Sequence, residues 1–504
     1  MAINFIPNDP DAGPTAPGIR SQSARPTRPA SRSGFTLSST VPQGNFQPGT
    51  PQFLFWQSRE AAIAAVDAWE ASSGPHTKWQ GNRSKLPILA DAGVDLNAFY
   101  NRASFSFFHK TLGAETFFSG ESTDVVAHEV GHGLVDSIRP AFFAVNFLEV
   151  AAFHEAAGDC VAILTALNDL DTRKKLLAVT TTLKKKNFVE STAEQLSRAI
   201  GIAFPGHNAS DPRHAFNTFQ YQLPQTLPSN GGPGALINEA HSFGMLFSGC
   251  FWNLIVNIFA ASASKTPASL LTAAQKAGKI LIAGTKIALI APRFLQSVGR
   301  AMVLADQALH NGANRDHINN AFRSHNILLG ANAMVAPSID LAGTAPKGAR
   351  LAAATKKDLM ARLGGSRGAR LTTAPVRELD IPMVSVMHTD TVSLSSIPGL
   401  KGVVAEAHQP VLVGGSGKSA AVMGSMPHPE NTEAEVLAYV KTLVAHDRID
   451  YGGAKKKKKS ARKRGMVAGG GDTQDQTTHV IRRVGGKKVL ERVRFLCGAG
   501  CSHR

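Results

Sequence analysis

Apolar positions follow a helical period over much of the chain and an alternating period over shorter parts. The segment FLFWQSREAAIAAVDAWEA, residues 53–71, predicts a first amphipathic helix. Short strand-like runs follow in LNAFYNRASFSFF and ETFFSG, and helical patterns dominate from Ser122 onward. The pattern predicts an α+β fold in which residues 51–330 form one domain, with a small β-containing part before a helical part.

The flanking segments have a different composition. Residues 1–50 are rich in Pro and Ser and hold few large apolar groups, which predicts disorder. Residues 331–375 are rich in Ala, Gly and basic residues and predict a linker. Strand-like runs followed by one helix predict a small α/β unit of unknown role at 376–450. Residues 451–504 predict a basic tail, with a hairpin signal around Gly485 and Gly486.

One apolar stretch raises the question of a membrane span. Residues 240–264 contain no Asp, Glu, Lys or Arg and are long enough to cross a bilayer. The stretch also holds polar residues, among them Asn253 and Asn257, and no basic cluster follows closely. A buried central helix fits this pattern better, so we expect no transmembrane anchor.

Charge and cysteine content narrow the function classes. Of the net charge of +17, the tail at 451–504 supplies +12, because it holds fifteen Lys or Arg against three Asp or Glu. The basicity therefore says little about the main fold. The four cysteines are too few and scattered for a disulfide framework. No classical signal peptide is visible, so we expect a cytoplasmic protein by default, with export by a signal-less route left open.

The strongest chemical signal is HEVGH, within the stretch DVVAHEVGHGLVD. On a helix, His128 and His132 lie four residues apart on one face and can bind one metal ion. Glu129 is rotated by about 100° from His128, which suits a base acting on water beside the metal. The pattern alone is weak, since an amphipathic helix with two hydrogen-bonded histidines would look the same.

A second predicted helix strengthens the metal interpretation. The stretch FHEAAGDCVAIL places Glu155 and Asp159 four residues apart in otherwise apolar surroundings. Glu155 would complete a three-ligand site for zinc with one position left for water. Asp159, one turn later, can accept the other ring N–H of a ligand histidine and so orient it.

These motifs carry a family resemblance. The stretches NAFY, SGESTDVVAHEVGH and HEAAGD resemble the thermolysin-like (gluzincin) zinc metallopeptidases, with some likeness to the fungalysins. The resemblance implies a two-lobed fold with zinc between a small β-containing N-terminal lobe and a helical C-terminal lobe. It implies zinc bound by His128, His132 and Glu155, a catalytic Glu129 and an orienting Asp159. The reaction implied is hydrolysis of protein or peptide substrates.

The resemblance assigns three further residues. In the family, the Asn and Ala of the NAFY-like edge strand hold the substrate backbone, which implies this role for Asn97 and Ala98. A later histidine donates to the oxyanion, and its match here is His241, in NEAHSFGMLF. Glu239, two residues earlier, is a candidate to orient His241.

The sequence also departs from the family pattern. Phe143 and Phe147 occupy the region in which the family has a tyrosine as second oxyanion donor. The family's arginine near the substrate carbonyl has no clear match, with Arg213 as a nearby substitute. Its calcium cluster keeps Asp124, but Ala166 stands where an acid is expected, so calcium binding stays open.

Two other functions remain open. One is a binding protein on a peptidase-like scaffold with weak or no activity. The other is a polyanion-binding protein that acts through the basic tail, which could also bind nucleic acid or an anionic surface. Cys497, Cys501 and His503 could in principle bind a metal, but three such residues near a chain end are more often an ordinary tail.

Overall fold

The computed structural model describes residues 2–290, 293–330, 337–363, 370–376, 383–423, 429–452 and 477–497. Helices and several small sheets make up this part of the chain, which confirms the predicted α+β class. The two-lobed arrangement implied by the resemblance stays a prediction.

The prediction of disorder for residues 1–50 is wrong. The segment contains β1 (Ala2–Phe5), β2 (Arg20–Ser23) and β3 (Gly34–Leu37), and the helix α1 (Pro51–Ser73) follows. Ile3 and Phe5 are buried, and Gln57 of α1 both accepts from and donates to the backbone of Ile6, at 2.9 Å each. The composition did not predict this ordered structure because polar side chains from elsewhere in the fold form hydrogen bonds with the segment's backbone groups.

Short strands lead into a helical region. The strands after α1 are β4 (Lys85–Leu89), β5 (Ala98–Tyr100), β6 (Phe105–Phe107), β7 (His109–Leu112) and β8 (Glu115–Phe118). The next elements are α2 (Thr123–Ile138), α3 (Leu148–Asn168), α4 (Leu170–Val179), β9 (Ser191–Thr192), α5 (Glu194–Ala203), β10 (Arg213–His214), α6 (Ala240–Ala260), α7 (Pro267–Ile287), α8 (Phe294–His310) and α9 (Arg315–Arg323). Helix α3 packs against α2 on one side and α6 on the other.

The two most apolar helices lie in this core. Helices α3 and α6 are long and apolar enough to cross a membrane, but both are largely buried within the fold. Cys160 on α3 and Cys250 on α6 are buried free thiols, as expected of core cysteines. Within the described residues there is therefore no clear transmembrane anchor.

The region predicted as a linker is folded. Residues 331–375 contain parts of β11 (Pro337–Leu341), α10 (Ala353–Leu363) and β12 (Arg370–Val376). Leu341, Leu359 and Leu363 pack with Val384 and Val413 of the following strands, so this segment belongs to the C-terminal unit. The prediction failed because a few leucines in an Ala- and Gly-rich segment supply the whole apolar face.

The C-terminal unit extends beyond residues 376–450 into the tail. Its remaining elements are β13 (Met383–Ser393), β14 (Val403–Ser416), β15 (Ser419–Met423), α11 (Pro429–Ala445), β16 (Ile449–Asp450), β17 (His479–Val484) and β18 (Lys487–Arg492). Strands β17 and β18 pair antiparallel around Gly485 and Gly486, and β18 joins β14 in the same sheet. The lysine run 455–459 lies outside the described residues.

The last described strand does not remain in that sheet. Strand β19 (Phe495–Leu496) pairs antiparallel with β5, far away in sequence. Among the described residues the resulting sheet has the order β19-β5-β6-β4-β3. This sheet lies beside α2, which begins a few residues after β8.

Candidate metal centre

Helix α2 begins where the sequence predicts and touches α3 closely. The hydroxyl of Ser122 accepts from the N–H of Val125 at 3.2 Å and caps the helix. A Cβ at Gly131 would lie 2.9 Å from the Cα of Gly158, so the two helices meet backbone to backbone. This contact explains why α2 tolerates a residue of poor helix propensity, and it brings the chemical groups of both helices together.

The three predicted zinc ligands converge between α2 and α3. One ligand atom each from His128, His132 and Glu155 lies within 4.8 Å of the others, and all three residues are buried. Oε2 of Glu155 is 3.1 Å from Nε2 of His128 and 3.4 Å from Nε2 of His132. Nε2 of His132 nevertheless makes no hydrogen bond within the described residues. The group therefore offers two imidazole nitrogens and one carboxylate oxygen in a buried place, with one of the nitrogens not hydrogen-bonded. This set of donor atoms fits a zinc ion.

The rings of His128 and His132 each contact another polar side chain through Nδ1. Nδ1 of His128 lies 2.8 Å from Oδ1 of Asp159, as predicted for an orienting carboxylate. Nδ1 of His132 lies 2.8 Å from Nδ1 of His154, a residue that the sequence analysis missed. His154 directly precedes Glu155 and is fully buried, which its position in an apolar helix could have indicated.

Arg213 on β10 is a second orienting group. Its guanidinium donates to Asp159 from Nη2 at 2.8 Å and from Nε at 3.1 Å. Burial raises the pKa of Asp159, but the charge of Arg213 and the bond to His128 outweigh burial and leave that pKa at about 2. The carboxylate is therefore ionised and available to hold the ring of His128.

Glu129 is buried without partners. Neither of its carboxylate oxygens makes a hydrogen bond within the described residues, and the side chain is fully enclosed. Burial raises the pKa of Glu129 well above its ordinary value. A carboxylate with this environment is suited to accept a proton during a reaction.

His241 lies at the start of α6 and faces the same group. The Glu239 carboxylate caps α6, accepting from the backbone N–H of His241 at 2.9 Å, and also lies 2.9 Å from Nδ1 of the same residue. Nε2 of His241 lies 3.1 Å from Oε2 of Glu155. The structure thus brings His241 to the candidate ligand Glu155, with Glu239 in contact with its ring.

The predicted substrate-binding residues lie on the sheet edge. Asn97 is buried, its amide donates to Asp95 at 3.3 Å, and its backbone carbonyl accepts from the hydroxyl of Ser119. The carbonyl of Ala98 accepts from the backbone N–H of Cys497 at 2.9 Å. The edge that the resemblance assigns to a substrate is therefore paired with the C-terminal segment of the chain.

A cavity of about 410 Å³ opens beside His241 and Arg213. Its wall includes the polar groups of Arg213 and His241 and the apolar side chains of Leu196, Ile200 and Met245. Cys497 also lines it, although the sequence analysis favoured an ordinary tail for this residue. A mixed wall next to a metal group can accommodate one side chain of a peptide.

A second candidate metal group involves acids from three distant segments. Asp9, Asp124 and Glu194 each offer an oxygen within 4.8 Å of the others. The family pattern places a partner of Asp124 in the next helix, whereas in the structure its neighbours are Asp9 and Glu194. One oxygen of each carboxylate is buried and makes no hydrogen bond within the described residues. This group could hold a metal, and calcium prefers such oxygen ligands.

The acid group predicts a calcium-dependent stability. Burial raises the pKa of Asp9 to about 6 and that of Glu194 to about 8, and it also raises the pKa of Asp124 well above its ordinary value. A raised pKa means that the folded protein holds the proton of the acid more tightly than the unfolded chain does. The resulting contribution to folding stability is complete below the ordinary pKa and is lost as pH rises through about 6 to about 8. At about 1.4 kcal/mol per pKa unit, we expect the calcium-free protein to lose a few kcal/mol by pH 9.

Thermal unfolding at pH 6 and pH 9 in zinc-containing buffer measures this loss. Added Ca²⁺ should restore the midpoint at pH 9, and Asp124→Asn should reduce both the pH dependence and the calcium effect. Equal midpoints at both pH values, unaffected by calcium, would contradict the assignment.

Gly158 predicts a steric effect on a ligand. A Cβ at this position would lie 2.7 Å from Nδ1 and 2.8 Å from Cε1 of His128. We expect Gly158→Ala to push the ring away from Asp159 and weaken zinc binding by about 10–100-fold, as loss of an orienting partner does. Zinc titration with a competing chelator measures the change.

The control is Gly201→Ala on helix α5, where the atom nearest to the added Cβ is Ser210 Cβ at 3.3 Å. Equal zinc affinity in both variants would refute the steric argument.

Comparison with known proteins adds no assignment to this geometry. No family model matches the sequence, and no curated protein matches it either.

Proposed function

We propose that the chain is a zinc-dependent endopeptidase of the thermolysin-like type, with the zinc between two lobes. The observation that carries this proposal is the buried carboxylate of Glu129, which has no hydrogen-bond partner among the described residues and lies beside the group His128, His132 and Glu155. A purely structural zinc site does not require such a carboxylate, whereas hydrolysis of a peptide bond requires a base at this position.

Each residue of the site has a role in the proposed reaction. When bound, zinc would polarise the scissile carbonyl and make a water molecule more acidic. Glu129 accepts the proton of the attacking water and passes it to the leaving amine. His241 donates from Nε2 to the oxyanion, while Glu239 holds Nδ1 of its ring. Asp159 fixes the orientation of His128.

The sheet edge and the cavity support a peptide as substrate. A substrate that adds to β5 as a strand would gain backbone hydrogen bonds from Asn97 and Ala98. One of its side chains could then enter the cavity lined by Leu196 and Ile200. Phe143 supplies no hydrogen-bond donor in place of the missing tyrosine, and one lost oxyanion donor typically costs about 10²–10³-fold in rate.

Cleavage of unfolded casein tests the proposal. The full chain and Cys497→Ala, both loaded with zinc, are incubated with casein and the fragments are identified by mass spectrometry. The cysteine is replaced because it lies in the cleft. We expect cleavage by at least the variant, loss of cleavage when 1,10-phenanthroline removes the metal, and recovery with added zinc. No cleavage by either chain or by Phe495→Ser, which alters the strand paired with β5, at full zinc occupancy would overturn the proposal in favour of a peptidase-like binding protein.

A further inference from the structure

The C-terminal segment occupies the edge that a peptide substrate would need. Strand β19 pairs antiparallel with β5, with Phe495 opposite Tyr100 and Leu496 opposite Phe99. The next residue continues the pairing through the hydrogen bond from Cys497 to the carbonyl of Ala98. Since an edge strand has one free side, a substrate and this segment cannot both pair with it.

The side chains of the segment point into the candidate centre. The ring of Phe495 stacks on His132, with centroids 4.7 Å apart, and on His154, with centroids 4.2 Å apart. Phe495 is 1 % exposed and also meets Phe143 edge to face at 5.3 Å. A substrate therefore has to displace a well-packed aromatic ring before it reaches Glu155.

The thiol of Cys497 lies next to His128, one of the three candidate ligands, and next to His241. Its Sγ and one ring nitrogen each from His128 and His241 all lie within 4.8 Å of one another. The residue is 4 % exposed, and Nη1 of Arg213 lies 3.6 Å from the sulfur. Thiolate sulfur is among the strongest zinc ligands in proteins, and a positive guanidinium favours the thiolate form.

We propose that residues 495–497 are a built-in inhibitor of the site: β19 takes the place of a peptide on β5, and Cys497 is the fourth zinc ligand, so that the intact chain is latent. This inference rests on the proposed function for its consequence, but the sulfur ligand can be tested separately. Binding of the sulfur releases the thiol proton to solvent and fills the position that water needs for hydrolysis. Displacement of the strand would free both the edge and the metal, whereas modification of the thiol would free only the metal.

X-ray absorption at the zinc edge tests the ligand without any measurement of activity. The full chain loaded with one zinc should show a sulfur neighbour at about 2.3 Å. Cys497→Ala should show only nitrogen and oxygen neighbours, whereas Cys501→Ala, the control at the tail's other cysteine, should keep the sulfur. Absence of sulfur from the zinc shell of the unaltered chain would overturn the inference, whatever the variants do.

Casein cleavage tests the latency. We expect Cys497→Ala to cleave about tenfold faster or more than the full chain, which corresponds to about 1.4 kcal/mol or more. Phe495→Ser, which removes the ring over His132 and leaves the thiol, should also raise the rate, and Cys501→Ala should not. Equal, measurable rates in the full chain, Cys497→Ala and Phe495→Ser would refute latency and leave the proposed function standing. A sulfur neighbour with no cleavage by any variant would refute the proposed function and leave the ligand assignment standing.

Discussion

Glu129→Gln is expected to lower the rate of casein cleavage by about 10²–10⁴-fold, the usual contribution of a general base. The amide has nearly the shape of the carboxylate but cannot accept the proton of the attacking water. Because Glu129 is not one of the three ligand residues, zinc content should stay at one per chain. The comparison is made in the Cys497→Ala background, which lacks the proposed sulfur ligand, with initial rates and zinc content measured on the same samples.

The control for this substitution is Glu433→Gln, on the exposed face of α11. It makes the same chemical change away from the site and should leave the rate unchanged. If Glu129→Gln kept the full rate with zinc bound, Glu129 would not be the base. A rate lost together with the zinc would instead place Glu129 among the groups that hold the metal.

Glu155→Gln is expected to have the larger effect on the metal itself. Oε2 of Glu155 lies 3.1–3.4 Å from ring nitrogens of three histidines, His128, His132 and His241, so it is the central anion of the group. A neutral amide binds zinc poorly and leaves the imidazoles uncompensated. We expect zinc affinity to fall by more than the roughly 10–100-fold typical of an orienting residue. Cleavage should disappear at micromolar zinc.

Zinc-dependent stability provides an independent measure of the same loss. Zinc at 100 times its dissociation constant stabilises the folded chain by about 2.7 kcal/mol, and this increment should vanish in Glu155→Gln. Glu149→Gln is the matched control, because Glu149 is also buried on α3 but contacts Tyr221 and the backbone of Leu295. Zinc-dependent stabilisation retained in Glu155→Gln would remove Glu155 from the ligand set.

The core of the candidate site was predictable because it depends on local periodicity. His128 and His132 share a helix face at a spacing of four, and so do Glu155 and Asp159 on the next long helix. Two largely buried helices that pack against each other bring such faces together. For the same reason the predicted ligands converge in the structure, with His241 beside them.

Residues outside that pattern were not predictable from the local sequence. His154 orients His132 only because α3 places it against that ring, and Arg213 reaches Asp159 from a two-residue strand. The acid group draws Asp9 from a segment whose composition indicates disorder. In each case the partner lies on another element, so spacing along the chain carries no signal for it.

The sequence by itself determined the mixed fold class, the buried character of α3 and α6, and the set of groups that could bind zinc, since all three follow from residue type and period. Only the tertiary structure decided what occupies the cleft. The pairing of β19 with β5 joins opposite ends of the chain, and strand pairing depends on backbone groups that every residue carries. No side-chain pattern near Cys497 could therefore indicate that the tail returns to the candidate metal centre.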